Sequence, residues 1–208
     1  MMCGIVGLAG FRDDKLLRHM ANTIAHRGPD DSGVYGTAQH SIAVQRLSII
    51  DLTTGHQPMT ACGGRVAIGF NGELYNYRDI RTELVPYGHR FQTQSDTEVV
   101  LKAYLQWGIG MLGRFNGMFA IAISDQRDVP VLYVIRDRLG IKPLYYHFRQ
   151  GHLTFASELK ALLVDRTVAR TLNPVAVDDY LRYRYVPGDV CLIQRCLEAF
   201  GWRYFEVL

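Results

Sequence analysis

The chain reads as an α+β protein in which two β-sheets stack face to face beneath outer helices. Two observations predict this. Residues 5–9, 118–123 and 131–135 are apolar on successive positions, without the in-and-out alternation of a half-exposed strand, so each is expected to be covered on both faces. The helical patterns are too few to cover both faces of a single sheet built from such strands. Two stacked sheets resolve this, because each then has one face on its partner and one under helices.

In chain order, the apolar run from Ile5 to Ala9 predicts the first strand. Leu16, Leu17, Met20 and Ile24 then recur at helical spacing. The stretch His26-Arg27-Gly28-Pro29-Asp30-Asp31-Ser32-Gly33 is too rich in Gly, Pro and Asp to continue that helix, and predicts a loop. A strand over 65–70 is followed by Asn71-Gly72, a pair that tolerates positive φ and predicts a break. Asn76 is placed to cap a helix reaching about Val85, and Ser95-Asp96-Thr97-Glu98 forms the pattern of a capping box. Val99, Val100, Ala103, Tyr104 and Trp107 give the helix after that box one apolar face. A hairpin is expected between His147 and His152, with both histidines facing solvent. Asn173-Pro174 opens a last helix, with Val177, Leu181 and Tyr185 along one stripe. The order is not a regular βαβ alternation, and no repeat or low-complexity stretch is visible.

Bulk composition narrows the function. The 208 residues suit one large domain with or without a short appendage, and the chain is 48% hydrophobic and 21% charged, the balance of a soluble globular protein. A net charge of +3, with 23 basic residues in scattered positions, provides no stripe for a nucleic-acid backbone. No apolar run is long enough to span a bilayer, and Cys3 to Ala9 lacks the basic leader of a signal peptide, so neither nucleic acid nor membrane is an expected partner and the cytoplasm is the expected location. Four cysteines without a C-x-x-C pair, and seven histidines without paired ligand spacing, suggest neither a disulfide framework nor a metal site.

Chemistry enters at the first residues, Met1-Met2-Cys3-Gly4-Ile5-Val6-Gly7. A cysteine exposed as the first residue by loss of preceding methionines carries both a nucleophilic sulfur and a free α-amino group. Such an amine titrates at about 7.7 to 8.0, so near neutral pH it can take the thiol proton and no catalytic histidine is needed. Downstream, Asn71-Gly72 can supply a side-chain amide and a backbone N–H to an oxyanion. Taken alone, Cys3 also fits a small hydrophobe opening a strand, Arg46 a surface ion pair, Asp96 a residue favoured in the first turn of a helix, and Arg136 with Asp137 an ion pair or turn anchor.

Seven stretches, in order, carry a resemblance. They are Cys3 to Gly7, His26 to Asp30, Arg46-Leu47-Ser48-Ile49-Ile50-Asp51, Asn71-Gly72-Glu73-Leu74-Tyr75-Asn76, Ser95 to Glu98, Arg136 to Tyr146, and Ala156-Ser157-Glu158-Leu159-Lys160-Ala161-Leu162. Together they resemble the glutaminase domain of glutamine-dependent asparagine synthetase, one of the class II, N-terminal nucleophile glutamine amidotransferases. The resemblance covers residues 3–188. It implies the N-terminal nucleophile hydrolase fold, a four-layer αββα sandwich of two mainly antiparallel sheets. It also implies hydrolysis of L-glutamine to glutamate and ammonia through a thioester on Cys3, with Asn71 and Gly72 holding the oxyanion. Arg46 would grip the substrate α-carboxylate, Asp96 with Glu73 would receive its α-ammonium, and the backbone around Leu47, Ile49 and Ile50 would shape the pocket. No cofactor is expected for this step. ATP and Mg would serve only a synthetase domain, supplied by a partner chain or a missing C-terminal part, to which the ammonia passes.

Two departures from the family pattern set further expectations. Met1 and Met2 form a leader that must be absent from the active chain, and residues 189–208, with no synthetase motif Ser-Gly-Gly-x-Asp-Ser after them, read as a diverged tail. The alternative function is a catalytically silent or truncated homologue that serves as a binding or regulatory partner.

Overall fold

The computed structural model describes residues 2–199 and 204–207, the last four as backbone only. Met1 and residues 200–203 and 208, the ends of the expected leader and tail, lie outside the described residues. In chain order the elements are β1 (Gly4–Ala9), α1 (Asp14–Thr23), a short 3-10 turn (Ala25–Arg27), β2 (Asp31–Gly36), β3 (His40–Arg46), β4 (Met59–Ala61) and β5 (Val66–Leu74). There follow α2 (Tyr77–Leu84), α3 (Asp96–Trp107), β6 (Gly117–Asp125), β7 (Val131–Arg136), β8 (Tyr145–Arg149), β9 (His152–Ala156), α4 (Leu159–Leu162), α5 (Pro174–Tyr183), β10 (Leu197–Glu198) and β11 (Tyr204–Val207).

The strands form two antiparallel sheets, one of six strands in the order β10-β8-β9-β1-β3-β2 and one of five in the order β11-β7-β6-β5-β4. Three apolar layers separate four structural layers, which is the αββα sandwich expected. Leu17, Met20, Ala21 and Ile24 from the first helix region pack with Ala161 and Leu162 on Val6, Leu8 and Ala43, the outer face of the six-stranded sheet. Ile5, Ala9, Ile42, Val44 and Phe155 meet Ala120, Ala122, Leu132 and Val134 between the sheets. Ile68, Phe70, Leu74, Ile121 and Ile123 meet Ile80, Leu84, Val99, Val100 and Ala103 beneath α2 and α3. β1 and β6 are therefore buried on both faces, as their unbroken apolar runs imply. The segment after residue 188 adds one edge strand to each sheet, β10 against β8 and β11 against β7.

Several local expectations are corrected. Asn71-Gly72 does not break its strand: β5 continues to Leu74, Asn71 and Gly72 pair with Ala120 and Phe119, and neither has a positive φ. Glycine is required at 72 for close approach, since a Cβ there would lie 2.4 Å from the Met118 carbonyl oxygen. Ser95 does cap α3, accepting from the Thr97 N–H, but Glu98 does not return to Ser95. Its carboxylate turns back onto the preceding loop and accepts from the N–H groups of Gln92 and Thr93 and from the Thr93 hydroxyl. Asn76 makes no side-chain cap for α2 and instead links two backbone groups of a distant loop, donating to the Arg114 carbonyl and accepting from the Asn116 N–H. His147 is 4% exposed rather than solvent-facing, because it points to the helix-covered face of β8. The stripe on α5 is not packed: Leu181 and Tyr185 are exposed, and of that helix only Ala176 is buried.

The layer between the sheets is thin, and Phe155 fills it opposite Gly7, where a Cβ would come within 2.2 Å of the Phe155 ring. Phe155→Ala is expected to cost about 3 to 5 kcal/mol, since the rigid sheets cannot close over the space left. Urea denaturation followed by circular dichroism checks this, with a lowered midpoint at unchanged slope as the expected result.

Candidate active site

β1 delivers Cys3 to one end of the gap between the sheets and holds it there from both sides. Ser157, fully buried, accepts from the Ile5 N–H at 2.9 Å, and its own N–H donates to the Ile5 carbonyl at 2.8 Å. The Arg27 Nε donates to the Cys3 carbonyl at 3.0 Å while its Nη1 pairs with Glu158 at 3.0 Å. The Leu47 N–H donates to Cys3 Sγ at 3.3 Å. Gly4 is needed beside this anchor, because a Cβ would lie 2.7 Å from Ile24 Cδ1 and 3.1 Å from Arg27 Cδ. Burial pushes the Cys3 thiol above its ordinary pKa, more than the Leu47 N–H and the nearby Arg46 charge lower it. The thiol therefore rests protonated and needs a base to become a nucleophile.

Cys3 opens onto a narrow cleft, lined in addition by Arg46, Leu47, Ile49, Ile50, Gln57, Phe70, Gly72, Glu73, Ser95, Asp96 and Thr97. Of the residues singled out from the sequence, Cys3, Gly72, Arg46, Leu47, Ile49, Ile50, Glu73 and Asp96 thus come together although they span more than ninety positions. No histidine among the described residues lines the cleft. Among the described residues no group of three or more His, Cys, Asp or Glu could hold a metal ion.

β4 pairs with β5 only from Val66 to Ile68, so the outer edge of β5 is open beyond that point. Two side chains then take the place of a strand. Gln57 Oε1 accepts from the Phe70 N–H at 2.7 Å, and Asp96 Oδ2 accepts from the Leu74 N–H at 3.1 Å. Strand geometry repeats every two residues, so the Gly72 N–H between them points to the same edge, where Gly72 lines the cleft. Alternation sends the Asn71 side chain to the opposite face, toward the gap between the sheets, as for Gly69, whose Cβ would meet Ile42, Val44 and Ile5. Asn71 is 1% exposed, and neither its Nδ2 nor its Oδ1 has a hydrogen-bond partner among the described residues. Asn71 is not among the residues that line the cleft, and a fully buried amide with both ends unpaired is costly.

Charged groups stand elsewhere around the cleft. Arg46 is 3% exposed, and its Nη2 is held by the carbonyls of Ile50 and Asp51, which fixes the guanidinium while its other nitrogens carry no hydrogen bond among the described residues. Gly55 lets the loop lie on that group, since a Cβ would be 2.5 Å from Arg46 Nη2. Burial raises the Asp96 carboxyl to about 6, the Leu74 N–H opposes this and the Glu73 charge adds to it. Burial also raises Glu73, against the lowering effect of Lys142. An Arg and two carboxyls in one cleft match a ligand that carries both an α-carboxylate and an α-ammonium.

The loops around the cleft are held by carboxylates. Asp30 accepts from the Ser48 N–H at 2.8 Å. Asp51 accepts from the N–H groups of Thr54 and Gln94 and from the Thr54 hydroxyl, which holds its carboxyl down at about 2. Arg136 and Asp137 are turn anchors but do not pair with each other: Asp137 accepts four backbone N–H bonds, and Arg136 binds three carbonyls and Glu198. Gln57, Arg27 and Lys142 were not singled out from the sequence. Arg27 and Lys142 lie inside the quoted stretches, where their signal was available, whereas nothing about a lone glutamine in the loop before β4 marks it as a strand-edge acceptor.

Comparison with known proteins gives the same picture. Residues 2–200 match the family described as glutamine amidotransferase domain. The chain is 40% identical over 182 residues to asparagine synthetase [glutamine-hydrolyzing] 3 of Bacillus subtilis strain 168, covering 80% of this chain and 29% of that protein. It is 38% identical over 188 residues to asparagine synthetase B [glutamine-hydrolyzing] of Escherichia coli K12, covering 86% of this chain and 33% of that one. The chain thus spans about a third of the length of these relatives. Among solved structures, a glutamine phosphoribosylpyrophosphate amidotransferase from B. subtilis, complexed with ADP and GMP, superposes with a TM-score of 0.67 at 22% identity, covering 83% of this chain and 46% of that chain, and shares the fold. With the match running from residue 2 to residue 200, this chain belongs to the glutamine amidotransferase domain family.

Proposed function

We propose that the chain is a class II glutamine amidotransferase that hydrolyses L-glutamine to L-glutamate and ammonia, with Cys3 as nucleophile. The observation that carries this reading is the Asn71 amide, buried and unpaired at both ends, on the strand whose next residue presents a backbone N–H to the cleft that holds Cys3. Active enzyme has Cys3 as its first residue, both methionines being absent. The free α-amine takes the thiol proton as sulfur attacks the carboxamide carbon, and the carbonyl oxygen becomes an oxyanion received by Asn71 Nδ2 and the Gly72 N–H. The resulting α-ammonium returns its proton to the leaving nitrogen, so that ammonia departs and a γ-glutamyl thioester remains. Water, deprotonated by the same amine, attacks the thioester; the C–S bond breaks and glutamate and the thiol are released. Arg46 holds the substrate α-carboxylate, Asp96 and Glu73 its α-ammonium, and the backbone around Leu47, Ile49 and Ile50 shapes the pocket. A substrate that lacks either end leaves a buried charge unpaired.

Hydrolysis needs no cofactor in this reading. The ammonia serves an amidation of the asparagine synthetase kind, whose ATP and Mg belong to a synthetase segment in the same or another chain, in the cytoplasm. The relatives' names and the partial coverage of their length support this. No helix of the described residues is long and apolar enough to cross a membrane.

A chain that begins at Cys3 is expected to release glutamate from glutamine. Cys3→Ala should abolish this, and a form verified by intact mass to retain Met2 should lose at least about a hundredfold, the usual contribution of a general base. Trimmed protein without Cys3-dependent glutamate release would sink the reading.

Asn71→Leu separates a ligand-directed amide from a structural one. The rate should fall by about 10²- to 10³-fold, while stability stays level or rises by about 1 kcal/mol, since no hydrogen bond is lost and a buried unpaired group is removed. Steady-state kinetics and urea denaturation of the same preparation check both.

Asp96 carries the opposite tension. Its folded carboxyl, at about 6, lies above the unfolded value, so the folded chain binds the proton more tightly and stability falls as pH rises from about 4 to 6 and stays lowered above that. Asp96→Asn is therefore expected to gain about 2 kcal/mol at pH 8 and almost nothing at pH 4, with KM for glutamine raised about a hundredfold or more by loss of the ammonium's partner. Denaturation at the two pH values, with initial-rate kinetics at pH 8, tests this.

A further inference from the structure

One buried charge has no part in that mechanism. Lys142 lies in the turn after β7 and is 4% exposed. Its backbone is fixed at both ends: the N–H donates to Asp137 Oδ2 at 3.0 Å, and the carbonyl accepts from Arg136 Nε at 2.7 Å. The side chain runs to the residue before the nucleophile, where Nζ meets the Met2 thioether sulfur at 2.9 Å. Among the described residues no carboxylate pairs with it, and a thioether is a weak acceptor. In the chain that carries Met2, a buried ammonium so poorly matched is costly.

The charged groups that face it come from four elements: Glu73 on β5, Cys3 at the start of β1, Arg27 in the turn after α1, and Asp137 after β7. The Asp137 carboxylate is already engaged by four backbone N–H groups. Arg27 is fixed 3.0 Å from the Cys3 carbonyl, its charge shared with Glu158 at 3.0 Å, so it brings a partly neutralised second cation to the same backbone unit. Only Glu73 offers a negative charge that backbone groups have not claimed among the described residues.

We propose that Lys142 is a positioning residue for the base of the reaction: with Met2 absent, its ammonium, which here lies beside the residue preceding Cys3, stands next to the Cys3 α-amine and holds that amine unprotonated at neutral pH. This rests on Cys3 being the first residue of the active chain. Two neighbouring ammonium groups disfavour each other, and the one with the lower intrinsic pKa gives up its proton. An α-amine titrates at about 7.7 to 8.0 and a lysine at about 10.4, so the amine yields and Lys142 stays charged. Burial moves Lys142 down and Arg27 adds to this, whereas Glu73 and Cys3 oppose it. Around residue 3 itself, Glu73 and Asp96 work against the effect on the amine and Arg46 adds to it, and the substrate's α-ammonium and α-carboxylate, once bound, offset these groups.

The test compares wild type, Lys142→Met and Lys142→Arg in chains that begin at residue 3. In a Cys3→Ser background, where no thiol titrates at that position, the 13C shift of the residue 3 Cα is followed against pH to read the amine directly. The acid limb of kcat/KM for glutamine is read in the Cys3 forms. The wild-type amine is expected to titrate below the ordinary range, and Lys142→Met to raise it by about one unit. The same variant should slow hydrolysis about tenfold at pH 6.5 and leave it unchanged at pH 9, while Lys142→Arg keeps the wild-type profile. A wild-type amine at or above about 7.7 overturns the proposal, even if Lys142→Met fails to fold. So does a Lys142→Met amine that titrates with wild type, or a Lys142→Arg shift as large as that of Met. Absence of glutamate release by the trimmed wild type would defeat the glutaminase reading by itself, and the amine titration would still decide on Lys142.

Discussion

A buried backbone N–H must find an acceptor, and at the edge of β5 this requirement shapes the cleft. β4 stops after pairing three residues, so the edge beyond Ile68 has no strand to bond. Were β4 longer, Phe70, Gly72 and Leu74 would all be satisfied by its carbonyls and no cleft would exist. Instead, Gln57 and Asp96 reach in as single acceptors and take Phe70 and Leu74. Gly72 is left between two satisfied neighbours, its N–H aimed by a strand whose other edge is locked to β6. A donor mounted in this way cannot swing to meet a substrate, and it needs no reorganisation when negative charge develops.

The loops that complete the cleft depend on the converse arrangement, in which carboxylates, buried at Glu98 and Asp137 and more exposed at Asp30 and Asp51, gather backbone donors. Asp30, Asp51, Glu98 and Asp137 each accept backbone N–H groups from a segment that would otherwise be irregular and loose. This explains why acidic residues recur in the recognisable stretches without entering the proposed chemistry. Asp51 ties the loop carrying Ile49 and Ile50 to the segment before α3, so the two walls of the cleft are joined. Asp137 does the same for the turn that carries Lys142, bonding it to Phe119 on β6.

How much of this could be read from the sequence differs by scale. The sandwich was legible because double burial leaves a mark on every residue of a strand, and β1 and β6 carry that mark without interruption. The site was legible because its residues lie in short dense stretches. What could not be read is where a polar side chain spends its hydrogen bonds. Asn76 and Glu98 sit at helix starts in patterns that suit local caps, yet the first serves the Arg114 and Asn116 backbone and the second the loop before Ser95. Local spacing offers one partner and tertiary packing offers a better one. Asn71-Gly72 misleads in the same manner, since the pair is compatible with a turn and what decides against it is the backbone of β6, close enough to exclude any side chain at 72. The α5 stripe shows the remaining limit: periodicity reports that a face is apolar and not whether anything covers it.

The unsatisfied groups are not spread evenly through the molecule. Among the described residues, Asn71, Asp96, Lys142 and one nitrogen of Arg27 are each buried with a charge or polar atom that the fold leaves poorly matched, and these belong to the surroundings of Cys3 and β5, whereas the unpaired Ser41 hydroxyl lies on β3 away from them. Elsewhere buried charge is neutralised: Asp125 is clasped by Arg127 and Tyr104, and Arg136 by three carbonyls and Glu198. A chain that can satisfy those groups could satisfy these as well, by shortening or replacing the side chains. Their concentration around Cys3 and β5 suits the proposed reaction, in which the substrate brings a carbonyl oxygen to Asn71 and an ammonium to Asp96. The rigid frame around Cys3 is what makes this possible, because a loose frame would relax until each group found a partner within the chain and left nothing for the substrate.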